Sequence, residues 1–389
     1  MTVGASARKV LVTAGRCMPA IGIVHALKPA GARIDVLDSI GAAPALHSRG
    51  VVAHITHPPA PDPILYTDEV AQIARERDVD LIIAPFEESF FLSRYRHRLP
   101  VPLLAPAFSA IQQLHNKAAF VRLCEQLGLP VPQTRIVTSQ EAMRSALGEF
   151  DTYFARPAFT RGGAHQLTNH GPHGTSHSVE DCHPTEDLPW LVQAFAEGDE
   201  TCILALARDG TVELIVTYEP TVAAKSGFAV RFTSIDDPAA VDIAKTVCGH
   251  LGYTGFIGFD YIRTADGPVL LECNPRATGG CFLMDQATLG RALLDGLDGL
   301  TVVPPGHSKQ YDSYIADGHT TDMSVAQVVR TLFSAPDALI SQLDVLPFIY
   351  SFVLRSKISQ EAFRQHVSVT DIAFGDTTWN GLPLPDDAS

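Results

Sequence analysis

Short apolar runs alternate with stretches of helical period through the first hundred residues. Lys9-Val-Leu-Val-Thr13, Arg33-Ile-Asp-Val-Leu37 and Leu81-Ile-Ile-Ala84 read as strands, and Pro19 to Lys28 and Thr67 to Arg77 read as helices between them. Strand and helix in alternation predict βαβ units and a parallel sheet. In such a sheet ligands sit beyond the carboxyl ends of the strands, which places Gly15, Asp38 and the turn Glu87-Glu88-Ser89 on the functional edge. Acidic residues also favour a helix start for purely electrostatic reasons, so both readings of Glu87 to Ser89 stand. Thr13-Ala14-Gly15-Arg16 lacks the glycine spacing of a dinucleotide fingerprint.

From about Pro106 the pattern changes. Ser109 to Leu127 carries one long helical period closed by Gly128-Leu-Pro130. A strand over 135–137, a helix over 139–147 and a strand over 152–155 follow, then a Gly/His-rich stretch from Thr160 to about His183. Trp190 to Phe195 reads as a strand, Thr201 to Leu206 pairs through Asp209-Gly210 with Val212 to Tyr218, and a helix spans Pro238 to Leu251. Strands with helices on one side predict an α+β region. Helical patterns recur at 324–333 and 359–366, before a Pro/Asp tail that reads as loose.

Length and charge narrow the classes. The chain has 389 residues and 46% hydrophobic positions, which predicts two or three domains. Acidic residues outnumber basic ones by 14, so no basic surface supplies the phosphate-neutralising term of a nucleic-acid binder. No apolar run is long enough for a signal peptide or a membrane span, so the expected location is the cytoplasm. The 7 cysteines include no Cys-x-x-Cys pair, which argues for reduced thiols rather than zinc or disulfides. His170, His173 and His177 lie among Gly171, Pro172 and Gly174, which break any helix that could present them to a metal.

The chemistry concentrates in one hairpin. Phe256 to Ile262 alternates, Asp266-Gly267 supplies a turn, and Pro268-Val-Leu-Leu-Glu272 returns. Asp260 and Glu272 can then meet across the hairpin. Glu272 and Asn274, two apart, point hard oxygens to one face, and Arg276 continues that face. The set suits magnesium and phosphate, and an exposed acidic hairpin is the bland alternative. Upstream, Thr160-Arg161-Gly162-Gly163-Ala164 can let backbone N–H groups approach phosphates.

In order and spacing these motifs resemble the ATP-grasp superfamily of carboxylate–amine ligases, in the arginine-using variant of carbamoyl-phosphate-synthase-like members, over Lys9 to Gly296. The resemblance implies an α/β plus α+β fold: a Rossmann-like N-terminal domain over 1–106, an ATP-grasp domain over 107–300, and a lid or accessory region over 301–389. The ATP-grasp domain would comprise subdomains 107–192, with the glycine-rich lid loop, and 193–300, with the metal site. It implies Lys117 and Arg156 as nucleotide-contacting cations, Gly162 and Gly163 in a phosphate lid, and Gln193, Ala194, Phe195 and Leu271 around the nucleotide. Glu200 would take the ribose hydroxyls, a solvent-facing strand position being the lesser alternative. Asp260, Glu272 and Asn274 would hold two Mg2+ ions, with Mn2+ able to substitute. Arg276 would stabilise an acyl phosphate, while Arg231 and Lys225 are candidates for holding the substrate carboxylate or plain surface cations. His165 is the loop histidine best placed for the phosphates.

The implied reaction is ATP-dependent joining of a small carboxylic acid, such as an amino acid, to an amine through an acyl phosphate, with release of ADP and phosphate. Small molecules are the expected partners, with no nucleic acid or membrane, and a homodimer is allowed. Two alternatives share the scaffold: a carboxyl- or carbamoyl-phosphate-forming enzyme or kinase, and a non-catalytic nucleotide-binding module.

Overall fold

The computed structural model describes residues 7–159, 166–171, 178–223, 229–316, 323–341 and 344–386. The first domain comprises β1 (Lys9–Val12), α1 (Met18–Leu27), β2 (Arg33–Asp38), β3 (Val51–Ile55), α2 (Pro63–Glu76), β4 (Leu81–Ile83), α3 (Glu88–Arg94) and β5 (Leu103–Leu104). Its strands are parallel in the order β3-β2-β1-β4-β5. Central β1 is apolar throughout because both faces are covered: Val10 and Val12 pack with α1, and Leu11 packs with Tyr66 and Val70 of α2. Edge strand β3 has no such signature, since Val52 and Ile55 face solvent. Helix α2 starts a turn earlier than its apolar period suggests, because Asp62 caps the Leu65 N–H and Pro63 occupies the first helical position.

The chain reverses its direction of winding between β1 and β4, and there Thr13 Oγ1 donates to Glu88 Oε1 at 2.6 Å. Glu88 is 1% exposed, and its Oε2 has no hydrogen-bond partner among the described residues. Burial pushes this carboxyl up to about 7.

The long helical pattern after Pro106 is two helices, α4 (Phe108–His115) and α5 (Lys117–Gln126). Asn116 divides them: its backbone leaves the helical region at ψ 109° and its side chain accepts from the Ala118 and Ala119 amides. That break makes Lys117 the first residue of α5.

A four-stranded sheet follows, built from β6 (Thr134–Val137), β7 (Tyr153–Pro157), β8 (Leu167–Thr168) and β9 (Trp190–Ala194) in the order β6-β9-β7-β8. Helix α6 (Gln140–Leu147) seals one face through Met143 and Ala146. The opposite face presents Leu191 to Ala118 and Val121 of α5.

The largest sheet contains β10 (Asp199–Arg208), β11 (Thr211–Ala223), β12 (Ala229–Ile235), β13 (Gly255–Thr264), β14 (Gly267–Asn274), β15 (Thr301–Val302) and β16 (Ser308–Gln310). Its order is β14-β13-β10-β11-β12-β16, with β15 beside β11, so the sheet continues past residue 300. Ile203, Ile215, Ile257 and Phe259 pack under α4, α5 and α7 (Pro238–Leu251). Leu204, Leu214 and Val216 share one core with α1 and α8 (Gln286–Leu294), which fuses this sheet to the first domain. Gly290 marks the closest approach, where a Cβ would lie 2.3 Å from the Ala26 carbonyl oxygen. All seven cysteines are buried and free of disulfides, and no helix among the described residues is long and apolar enough to cross a membrane.

Beyond α9 (Asp312–Ala316) lie α10 (Val325–Leu332), α11 (Leu346–Gln365) and α12 (Val369–Phe374). The tail read as loose is docked on the first domain. Asp376 meets Arg16 at 2.8 Å, Phe374 packs on Phe86, and the Tyr95 hydroxyl donates to the Pro385 carbonyl. Buried Trp379 lies among Phe108, His115 and Phe159, and removing that indole from water offsets the entropy of ordering a polar tail.

Two outcomes are expected. Gly290→Ala forces α1 and α8 apart and should destabilise the protein by about 1–3 kcal/mol in urea unfolding, whereas Gly41→Ala in the same assay serves as the control, since a Cβ there would meet only Ile55, at 3.8 Å. For Glu88 the folded state binds its proton more tightly than the unfolded chain, whose ordinary value is 4.5. The stabilisation is therefore complete below about pH 4.5 and is lost as pH rises through 7. Relative to Glu88→Gln, the wild type should lose about 3 kcal/mol between about pH 4.5 and about pH 8. A constant difference across that range would contradict the burial effect.

Candidate active site

The hairpin β13–β14 pairs Asp260 with Glu272 and Gly258 with Asn274, so the three polar groups share one face, next to Cys202 of β10. The ladder is not regular. Tyr261 pairs with Leu270 while Asp260 pairs with Glu272, leaving Leu271 as an extra residue. Such a bulge frees backbone groups from the ladder, and the Leu271 carbonyl accepts from Arg156 Nη2 at 2.8 Å.

Cations from two elements converge on Glu272. Lys117 Nζ, from the first position of α5, lies 3.3 Å from Oε2, and Arg156 Nη1, from β7, lies 3.1 Å from the same oxygen. Gln193, on β9, accepts from Arg156 Nη2 at 3.3 Å and donates to Thr134 Oγ1 at 3.0 Å. Asn274 Nδ2 donates to Asp260 Oδ2 at 2.9 Å.

The charges set the protonation. Burial and the neighbouring Glu272 push Asp260 well above the usual carboxylate range, and Glu200 adds to this. Burial also opposes ionisation of Glu272, but Lys117 and Arg156 outweigh it and hold that carboxyl low. Lys117 and Arg156 are themselves pushed down by burial. Two partly desolvated cations beside a carboxylate pair form a site that gains from both a bound cation and a bound polyanion. Asp260 and Glu272 offer hard oxygens of the kind that divalent cations take, and Asn274 Oδ1 is a third such oxygen, held here by Arg276 Nη2 at 3.1 Å. The donor set thus fits Mg2+. Among the described residues no three of His, Cys, Asp and Glu converge, so the third donor is an amide.

Arg276 extends the site towards the first domain. Its Nε lies 3.4 Å from Glu87 Oε1, its guanidinium covers the Phe86 ring at 4.5 Å, and the Ala277 amide donates to the Pro85 carbonyl at 3.1 Å. Glu87 is 1% exposed, and its other oxygen lies 3.9 Å from His115 Nε2. Burial pushes His115 down to about 3, with Lys117 and Arg276 adding to the shift. The joining role of Glu87 is absent from the motif reading. Its trace in sequence is an acidic pair placed directly after a buried parallel strand.

Other expected residues fall differently. The amides of Ala194 and Phe195 are spent on the Gln133 and Thr152 carbonyls, because β9 is a central strand whose hydrogen bonding runs on to residue 195. Neither amide is available to an adenine edge, and the Phe195 ring packs on His170. Glu200 is exposed on β10 opposite Ile262, on the same face as Cys202 and Asp260. Gly198 precedes it where a Cβ would lie 2.3 Å from the Arg263 carbonyl oxygen. Arg231 does not join the Glu272 cluster; its Nη1 donates to Ser334 Oγ at 2.8 Å, on the face of β12 opposite Val230 and Phe232. Gly162, Gly163, His165 and Lys225 lie outside the described residues.

Comparison with known proteins bears on this arrangement. Residues 114–280 match the family model described as ATP-grasp domain. The arginine-specific carbamoyl phosphate synthase large chain of Geobacillus stearothermophilus is 28% identical over 231 residues, 52% of this chain and 22% of that protein. The carbamoyl phosphate synthase large chain of Thermus thermophilus is 27% identical over 190 residues, 46% of this chain and 18% of the relative. The chain thus spans about a fifth of the curated relatives it matches. Among solved structures, an ADP complex of N5-carboxyaminoimidazole ribonucleotide synthetase superposes with TM-score 0.59 at 16% identity, covering 77% of this chain and 80% of that one. Biotin carboxylase from Campylobacter jejuni gives TM-score 0.58 at 14% identity, covering 75% and 72%. These likenesses establish a shared fold, and the cations of α5 and β7 meet the acidic hairpin inside the matched span. The chain carries an ATP-grasp domain over residues 114–280.

Proposed function

We propose that this protein is an ATP-dependent, ADP-forming ligase that activates a small carboxylic acid as an acyl phosphate and couples it to an amine. The observation that carries the reading is the meeting of Lys117 and Arg156 at Glu272, with Asp260 in register across the hairpin and Arg276, just past the end of β14, reaching Glu87. The ADP complex among the structural neighbours supports a nucleotide in this fold.

Direct attack of an amine on a carboxylate fails near neutral pH, because the carboxylate is anionic and oxide is a poor leaving group. In the proposed reaction the acid's oxygen attacks the γ-phosphorus of ATP and the bond to ADP breaks. The amine nitrogen, having lost a proton, then attacks the acyl carbon, and the C–O bond breaks to release phosphate. Bound Mg2+ would supply charge neutralisation at the β- and γ-phosphates. Asp260, Glu272 and Asn274 would hold it, and Lys117 and Arg156 would divide their charge between Glu272 and phosphate oxygens. Arg276, 17% exposed at its side chain and pinned between Asn274 and Glu87, would meet the negative charge of the acyl phosphate and tetrahedral intermediate. Glu200 is assigned to the ribose hydroxyls and Lys225 to the substrate carboxylate.

The names of the curated relatives favour one second reading, an enzyme that forms a carboxyl or carbamoyl phosphate. Hydroxylamine separates the two. In a screen of amino acids and small acids, a ligase yields the hydroxamate of the acid that stimulates phosphate release, whereas an enzyme that stops at phosphoryl transfer to bicarbonate or carbamate yields none from the panel.

In the same assay Asp260→Asn and Glu272→Gln should each lower acid-dependent phosphate release by about 100-fold or more. Wild-type rates in either variant would remove the metal assignment. Arg276→Met should lower kcat by about 100-fold while the KM for ATP moves less than about threefold. An equal loss in ATP affinity would place Arg276 on the nucleotide instead.

A further inference from the structure

The first domain contains a buried carboxylate that the proposed chemistry leaves unused. Glu88 lies at the switch point of the parallel sheet, where β1 and β4 are neighbours and their chains leave in opposite directions. Open α/β sheets take ligands at that point. Its Oε1 is engaged by Thr13 Oγ1 at 2.6 Å and the Phe86 amide at 3.3 Å. Among the described residues its buried Oε2 has no hydrogen-bond partner and Glu88 forms no ion pair.

The nearby cations are committed elsewhere. Arg16 is held by Asp38 at 2.7 Å and by Asp376 at 2.8 Å. Arg276 is held by Glu87 and Asn274. An orphaned carboxylate oxygen in a buried position costs free energy until a donor reaches it, and a charged donor satisfies it best. A second carboxylate would be repelled, because Asp38 also lies close enough to raise the Glu88 carboxyl.

The neighbourhood says which substrate this is. Ala277, just past the metal hairpin, donates to Pro85, and Arg276 rests on Phe86 and Glu87. The loop that carries Glu88 is therefore the loop on which the proposed acyl-phosphate site is docked. We infer that Glu88 is the binding residue for the protonated amino group of the amine substrate, held at the switch point between β1 and β4 with its ammonium on Oε2. The inference rests on the ligase reading for the identity of the substrate, but ammonium binding can be measured without turnover.

The test uses the full chain and four probes, ammonium, methylammonium, glycine and β-alanine, against sodium chloride of equal ionic strength, with N-acetylglycine as the uncharged-nitrogen control. At about ten times its dissociation constant an effective probe should raise the wild-type Tm by about 2 °C. Glu88→Gln keeps the acceptor for Thr13 but loses the charge, and should abolish the rise. Isothermal titration of the wild type gives a reading free of any variant: the effective probe should show a saturable binding heat that N-acetylglycine does not. No shift from any probe, an equal shift in wild type and Glu88→Gln, or no saturable heat from any probe would each overturn the assignment. Hydroxamate formation separates this failure from failure of the ligase reading. Hydroxylamine is uncharged near neutral pH, so hydroxamate formation by the wild type does not depend on an ammonium site. Absence of hydroxamate strikes the ligase reading, while hydroxamate formation with no probe-induced Tm shift overturns the ammonium site alone.

Discussion

Everything at the candidate site depends on the sharing of one carboxylate, Glu272, by two cations from separate elements. Lys117 comes from a helix, Arg156 from the smaller antiparallel sheet, and Glu272 from the edge of the larger one. As a stability device the arrangement is poor value, since desolvating three charges can cost as much as their attraction returns. Its worth lies in position. The ion pairs fix the two sheets at a separation that leaves positive charge facing Asp260, whose own proton affinity is raised by the same crowding.

The rest of the fold makes that separation reproducible. The large sheet is covered on one face by α4, α5 and α7 and on the other by α1 and α8, so its hydrophobic core is continuous with that of the parallel-sheet domain. Arg276 and Ala277 lean on the 85–87 loop as a consequence of this fusion. The C-terminal strap then covers the same loop, with Phe374 on Phe86 and Trp379 against His115.

Much of this was legible from periodicity and turn chemistry. The acidic hairpin and the helix over 238–251 follow from alternation and a 3.6-residue period that tertiary context did not override, while the turn lies one residue earlier than read, at Ala265-Asp266, with Gly267 opening β14. What escaped were features set by contacts between segments distant in sequence. Asn116 ends one helix and caps the next, a choice invisible to a hydrophobic period that runs through both. The tail was read from its polarity, whereas contacts of Phe374, Asp376 and Trp379 with distant segments dock it. The Gln133 and Thr152 carbonyls that take up the amides of Ala194 and Phe195 cannot be counted from one strand. Glu87 needed the third dimension to meet Arg276.

The bulge at Leu271 left a faint mark in the sequence, two adjacent leucines in a strand that otherwise alternates. Its meaning is that Arg156 is anchored to a backbone carbonyl rather than to a side chain. Substitution at 271 can vary the residue widely without touching that anchor, whereas deletion of the single residue would restore a regular ladder, keep Asp260 opposite Glu272, and leave the guanidinium without its oxygen. At this position the count of residues carries information that their identity does not.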